Sequence, residues 1–244
     1  VARRLGGDAR PGSTQAAATS VATARLDEHG AASYEFDVEW RVPMGTVPGG
    51  GTLAVHTGSI AAVLEPGASD VRALVSQARA TATVTYDPNA RPALMGEPAG
   101  ARARIEAFVA LADVVKVSDE DLAWLVPGAD SVAAARDWLA LGPALVVVTF
   151  GGKGAVAVTA AGAQHVAAPH VRVIDTVGAG DSFMGALLDG LWDAGLLGAE
   201  NRAALRAIDC STLRTLLERC VAVAAITVSR AGANPPHREE LAHL

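Results

Sequence analysis

Large aromatic side chains are scarce in this sequence: Phe, Trp and Tyr together make 4% of 244 residues, although 50% of the residues are hydrophobic. A core of that size has to be built from Ala, Val and Leu in close layers, which favours helices laid against sheet in one substantial domain. Cysteine is scarce too. Cys210 and Cys220 are the two present and lack Cys-x-x-Cys spacing, which excludes a disulfide framework and makes a reducing cytoplasm the expected setting. Positive charge is in deficit, with 20 Lys and Arg against 26 Asp and Glu, a net charge of −6. That balance argues against nucleic acid as a partner, because a polyanion needs a basic footprint, and any anionic ligand must be held locally. No apolar run reaches the roughly 18 residues of a membrane span, and the arginines near the start precede no signal-peptide core, so no membrane association is expected.

What is present has a clear order. Stretches 21–26 and 32–40 are rich in Val, Thr, Tyr and Phe, and Asp27-Glu28-His29-Gly30 between them supplies turn residues, predicting a β-hairpin. Alternation puts Tyr34, Phe36, Val38 and Trp40 on one side, and Ser33, Glu35, Asp37 and Glu39 on the other. A sheet with one wet face covers something: a substrate cleft or, as expected here, a second subunit in a homodimer. Pro43, Pro48 and Gly49-Gly50-Gly51 then mark a boundary. Beyond it, short apolar runs at 52–56, 83–86, 114–117, 144–149 and 155–158 alternate with helical patterns at 69–80, 100–112, 118–125, 131–141, 179–194 and 212–228. This alternation predicts a mostly parallel sheet covered by helices on both faces, with ligands gathered outside the carboxyl ends of the strands.

The segment that carries the chemistry is Asp175-Thr176-Val177-Gly178-Ala179-Gly180-Asp181-Ser182-Phe183, which runs into a helical pattern. Gly-Ala-Gly leaves backbone N–H groups unobstructed, and the helix points the positive end of its dipole at the same place, so the turn predicts an anion hole. A carboxylate beside a bound anion is unfavourable unless it must take a proton from an attacking hydroxyl, which makes Asp181 the candidate base. Phosphoryl transfer needs little more than a neutralised terminal phosphate and an aimed nucleophile. A bare Gly-x-Gly reads equally well as a tight turn; the nine-residue string is far more specific. It resembles the D-T-x-G-A-G-D signature of the ribokinase-like (pfkB) carbohydrate kinases. That resemblance implies a three-layer α/β fold with a mostly parallel central sheet and a small β lid. It also implies ATP and Mg²⁺ as cofactors, with Asp181 as general base and the N–H groups of Gly178, Ala179 and Gly180 stabilising the transferring phosphoryl group.

Other segments resemble the family in the same order. Thr149-Phe150-Gly151-Gly152-Lys153-Gly154 is similar to its T-x-G-x-x-G turn, which implies nucleotide contacts for Thr149, Gly151 and Gly154. A glycine-rich hairpin turn reads the same way, and Lys153 reads as a solvated turn lysine. Residues 224–233 resemble the segment bordering the adenine site, with Gly232 and Ala233 nearest the nucleotide; an Ala-rich helix ending on a glycine cap is compatible with that. The resemblance further implies a monovalent cation, K⁺, at Asp175 and the carbonyls of Val177 and Gly232. Ser118-Asp119-Glu120-Asp121 stands where many members carry N-x-x-E, which implies Ser118 near the nucleotide and Asp121 holding Mg²⁺ through water, although Ser118 also reads as a helix cap. Asp87-Pro88-Asn89-Ala90-Arg91 resembles the D-P-N-x-R stretch of fructokinases and 2-keto-3-deoxygluconate kinases, so Asn89 and Arg91 should face substrate, Arg91 as a cation for developing charge. His56-Thr57-Gly58-Ser59 resembles the fructokinase H-T-G-S segment; His56 has no partner at ligand spacing, so it is not expected to bind metal.

The resemblance runs from the hairpin to the C-terminus. The strand, helices and Gly-Gly motif with which family members open are not found, while Ala2-Arg3-Arg4-Leu5-Gly6-Gly7-Asp8 resembles their R-L-G-x-D segment. The expected organisation is a remnant of an N-terminal unit at 1–12, a β lid hairpin at 13–43 and an α/β nucleotide-binding and catalytic domain at 44–244, with the rest of the N-terminal unit omitted. The expected activity is ATP-dependent phosphorylation of a hydroxyl of a small sugar, fructose first. The alternatives are 2-keto-3-deoxygluconate, ribose or a nucleoside as acceptor, or a catalytically silent nucleotide- or sugar-binding protein.

Overall fold

The computed structural model describes residues 19–26, 32–42 and 51–241, with the backbone alone at 22, 24–26 and 32–36. The remnant expected at 1–12 and the side chains of Tyr34 and Phe36 lie outside the described residues. Strands β1 (Val21–Leu26) and β2 (Ala32–Asp37) pair antiparallel, from Val21↔Asp37 to Leu26↔Ala32. The second strand therefore stops three residues before Trp40. Instead of extending the hairpin's apolar face, Trp40 docks where the chain enters the larger unit: its Nε1 donates to Ala61 O at 3.2 Å and its carbonyl accepts from Gly67 N at 3.0 Å. The indole lies so close over Gly67 that a Cβ there would overlap the ring. Alternation along one strand could not reveal a slot that a glycine in another element leaves open.

From residue 54 the order is β3 (Ala54–Gly58), α1 (Gly67–Ala78), β4 (Thr83–Asp87), α2 (Pro92–Met95), α3 (Pro98–Val109), β5 (Val114–Ser118), α4 (Asp119–Leu125) and α5 (Ser131–Ala140). Then come β6 (Leu145–Thr149), β7 (Ala155–Thr159), β8 (Gly162–Val166), α6 (Ala179–Asp193), α7 (Arg202–Arg206) and α8 (Cys210–Val228). The six strands lie side by side in sequence order, β3 to β6 parallel and β7 and β8 antiparallel. The sheet is thus mixed, and β8, α2 and α7 are elements that apolar periodicity did not signal. Gly162-Ala163-Gln164-His165-Val166 is a largely exposed edge strand with one buried residue, so it carries almost no apolar pattern.

Period-two alternation divides the sheet between two cores. Val84, Tyr86, Val115, Val117, Val146 and Val148 pack under α1, α3, α4 and α5, where Ile105 and Trp138 are fully buried. Val114, Leu145, Val147, Ala155 and Ala157 pack under α6 and α8 with Leu187, Leu191 and Leu217. Each such leucine contributes about 1.5–3 kcal/mol by leaving water. At the amino ends of the strands, Arg202 clamps the layers: Nε donates to buried Asp113 at 2.8 Å and Nη2 to Ala82 O at 2.7 Å. No helix among the described residues is long and apolar enough to cross a membrane.

Candidate active site

Polar residues collect at the opposite, carboxyl ends of the parallel strands. Helix α6 begins there with Gly178 at φ 79°, a left-handed conformation that favours glycine, and no side chain caps it. A Cβ at 178 would also lie 2.8 Å from the Cβ of Ala233, so glycine lets the C-terminal segment close over the turn. Among the described residues the N–H groups of Gly178 and Gly180 have no partner, whereas Ala179 N donates to Thr176 O at 3.3 Å. Asp181 stands in the first helical turn. Asp175 staples the approach, its carboxylate accepting from Val177 N at 3.0 Å and Gly232 N at 2.9 Å. These bonds hold the Asp175 carboxyl below the usual carboxylate range. They hold the Val177 and Gly232 N–H groups against one carboxylate and so tie the α6 turn to the C-terminal segment.

A cavity of about 600 Å³ opens beside this turn. Asn89, Arg91, Ser118, Asp121, Thr149, Gly151, Gly154, Ala179 and Gly180 all contribute to its wall, and its apolar end is formed by Val221, Ala224, Ala225 and Val228 of α8. Gly178, Asp181 and Ala233 instead line a neighbouring hollow of about 520 Å³, so the first turn of α6 is the ridge between the two. Asp175, Val177 and Gly232 line neither hollow. Arg91 is folded back, Nη1 donating to Asn89 Oδ1 at 2.7 Å and to Ala90 O at 2.9 Å. Ser118 caps α4 in a capping box, accepting from Asp121 N at 3.0 Å while Asp121 Oδ2 accepts from Ser118 N at 3.4 Å. Asp121 Oδ1 accepts from Ala90 N at 2.9 Å. Cap and wall residue are therefore compatible roles for Ser118. With both Asp121 oxygens engaged by backbone N–H groups, the carboxylate suits holding a magnesium-bound water better than direct ligation.

Lys116, a residue that sequence reasoning did not put in the site, lines the cavity. Lys116 Nζ donates to Asp87 Oδ2 at 2.7 Å, and each side chain is 5% exposed. Burial pushes the Asp87 carboxyl up; Lys116 opposes this, and the neighbouring charges of Asp121 and Asp181 add to it. Lys116 shares its face of β5 with Val114, so it points to the α6 side, and a Cβ on Gly180 would lie 2.9 Å from its Nζ. On the next strand but one, His56 Nδ1 and Thr85 Oγ1 share a hydrogen bond of 2.9 Å. Desolvation, and next the Lys116 charge, lower the His56 pKa, with Asp181 pulling the other way. The signal for Lys116 was available: a lone lysine in Val114-Val115-Lys116-Val117, a run otherwise fit for a strand buried on both faces. Gly58 in the H-T-G-S segment has extended backbone, and its need for glycine is steric, because a Cβ would overlap the carbonyl oxygen of Asp87.

Known proteins resemble this arrangement. Residues 52–240 match the family model described as pfkB family carbohydrate kinase. The fructokinase of Rhizobium leguminosarum bv. trifolii is 38% identical over 138 residues, which cover 57% of this chain and 42% of that protein. The fructokinase of Klebsiella pneumoniae is 35% identical over 195 residues, 77% of this chain and 62% of that one. This chain thus spans less than two thirds of the length of either relative. A double mutant of the fructokinase from Vibrio cholerae O395, solved with fructose, ADP and potassium ion bound, matches with a TM-score of 0.70 and 28% identity, over 87% of this chain and 68% of that chain.

Proposed function

The chain belongs to the pfkB family of carbohydrate kinases, and on that premise we propose that it transfers the γ-phosphoryl group of ATP to a hydroxyl of a small sugar, with fructose the first candidate. The observation that carries the reading is the first turn of α6, an uncapped helix start with the unpartnered N–H groups of Gly178 and Gly180 and the carboxylate of Asp181 together. Such a turn stabilises charge on the transferring group while the carboxylate takes the hydroxyl proton. Fructose is favoured by the relatives named fructokinase and by the neighbouring structure solved with fructose and ADP.

In this reading the nucleotide occupies the 600 Å³ cavity, its base against the apolar end formed by α8 and its phosphates towards Thr149, Gly151, Gly154 and Gly180. Gly232 lines neither hollow and Ala233 lines the neighbouring one, so the nucleotide contacts expected of them are not part of this placement. Asn89 and Arg91 face the reacting end, Arg91 leaving Asn89 to meet the phosphate. Magnesium would neutralise the phosphates, with Asp121 orienting its waters. Asp175, with Val177 and Gly232, would hold potassium, as the potassium-bound neighbour suggests. The β1–β2 hairpin acts as a lid, and a homodimer through it is the assembly this reading carries forward.

The test is ADP release by the purified protein with MgATP and a panel of fructose, ribose, 2-keto-3-deoxygluconate and a nucleoside, alongside calorimetric binding of sugar and a non-hydrolysable ATP analogue. Turnover with fructose is expected. Binding of both ligands without ADP release for any acceptor would overturn the reading in favour of a silent binding protein.

A further inference from the structure

A buried lysine–carboxylate pair has two possible meanings, and its surroundings decide between them. Burying both charges is costly, and an apolar pair of similar volume would serve the fold at least as well. On the same face of the sheet β5 and β6 use apolar residues where α6 and α8 cover them, with Val114 directly preceding Lys116 in that row. The pair sits where that cover ends, and Lys116 is part of the wall of the large cavity together with Gly180, Arg91 and Asp121. An ammonium has three N–H bonds, and among the described residues Asp87 Oδ2 is the one atom that accepts from it. Gly180 leaves the space beside Nζ open, since a Cβ there would stand 2.9 Å away. Besides Lys116, the charges that act on Asp87 are those of the carboxylates Asp121 and Asp181, so a phosphate arriving near the pair meets negative charge unless a cation is presented to it.

We propose that Lys116 is a catalytic residue, an ammonium that is held on Asp87 in the empty protein and bonds an oxygen of the γ-phosphoryl group when ATP fills the cavity, beside the N–H groups of the Gly178–Gly180 turn. The inference rests on the kinase reading above and adds a residue to it. In the transfer step the sugar oxygen forms a bond to phosphorus while the bond from phosphorus to the β–γ bridging oxygen breaks. The bridging oxygen keeps the electron pair and leaves with ADP, and the hydroxyl proton passes to Asp181. Lys116 keeps its proton throughout and acts by charge and by the N–H bonds that Asp87 does not use. Asp87 is a positioning residue: it also accepts from Asn89 N at 3.2 Å, so one carboxylate ties the ammonium to the turn carrying Asn89 and Arg91.

A purely structural pair predicts different behaviour, and three measurements on the intact protein separate the two: kcat with the preferred sugar, affinities for MgAMP-PNP and MgADP, and the thermal midpoint. Lys116→Met is expected to lower kcat on the order of 10²-fold, the scale of losing one preorganised donor. It should weaken AMP-PNP by about tenfold or more, the weight of a hydrogen bond to a charged group, while ADP affinity changes little. Because Lys116→Met leaves Asp87 buried and unpaired and can fail to fold, the second variant is Lys116→Met with Asp87→Asn, which removes both charges. That double variant should recover thermal stability without recovering kcat or AMP-PNP affinity. A double variant that regains both stability and kcat, or a folded Lys116→Met that keeps more than about a tenth of wild-type kcat, overturns the inference and leaves the kinase reading standing. A wild-type protein that neither binds ATP nor releases ADP overturns both.

Discussion

Replacing Asp181 with asparagine removes the proposed base and keeps the shape of the side chain, so it isolates the proton from everything else the residue does. Asp181 is exposed in the first turn of α6 and makes no hydrogen bond or ion pair among the described residues. Its contribution to folding is therefore confined to the favourable end of the helix dipole, about 0.3–1 kcal/mol. In a domain of this size that moves the thermal midpoint by no more than about 2–4 °C. The catalytic loss is on another scale: general-base contributions are typically ~10² to 10⁴ in rate, or about 2.7–5.4 kcal/mol in the barrier at ~1.36 kcal/mol per decade. The amide still donates and accepts hydrogen bonds, so sugar affinity should change little. Steady-state ADP release, calorimetric sugar binding and a thermal melt on the same preparation test all three expectations. A variant with more than about a tenth of wild-type kcat would refute the reasoning, because that is a smaller loss than removal of a base allows. So would an intact kcat accompanied by a lowered midpoint, which is the signature of a helix-end acid and nothing more.

Other perturbations probe the frame around the site. Gly58→Ala drives a Cβ into the Asp87 carbonyl, so β3 and β4 must part at their carboxyl ends; overpacking of this kind costs about 1–3 kcal/mol, and a denaturant midpoint equal to wild type would show that the strands can yield freely. Arg202→Ala leaves Asp113, 1% exposed, without its cation, and since Arg202 is itself a quarter exposed the cost should sit near the lower end of the ~3–5 kcal/mol range for broken buried pairs, measured by urea unfolding. Asp209 caps α8, accepting from Ser211 N at 2.9 Å and Thr212 N at 3.0 Å; the hydroxyls of Ser211 and Thr212 foremost, and then these backbone bonds, hold its carboxyl well below the ordinary 3.8. A depressed carboxylate stabilises the fold fully above its unfolded value and loses that contribution as pH falls below it towards the folded value. The thermal advantage of wild type over Asp209→Asn should then be constant near neutrality and shrink below about pH 3.8; an advantage that does not depend on pH would refute the charge as its cause.

Much of this fold is written locally. Apolar runs such as Leu145 to Thr149 have few alternatives to a buried strand, and Ala-rich stretches with 3.6-residue periodicity become the helices that cover them. The turn before α6 was legible because Gly178 needs a left-handed backbone and the Gly-Ala-Gly-Asp order leaves a helix start uncapped; both are properties of the chain within a few residues. Ser118 and Asp121 likewise announce a helix start by their spacing alone. Position in space is another matter. The pairing of Asp87 with Lys116 depends on β4 and β5 lying side by side and on which face each strand turns to α6, and neither follows from the pattern of one strand. The seat of Trp40 over Gly67 and the bond from Ala90 N to Asp121 also join segments distant in the chain. By itself, the sequence determined most of the elements and the glycine turn with an acid at the start of α6, because backbone conformation and periodicity are short-range. Only the tertiary structure decided which charges share the floor of the cleft, because a buried ion pair forms only where the chain brings two distant side chains within a few ångströms and out of water.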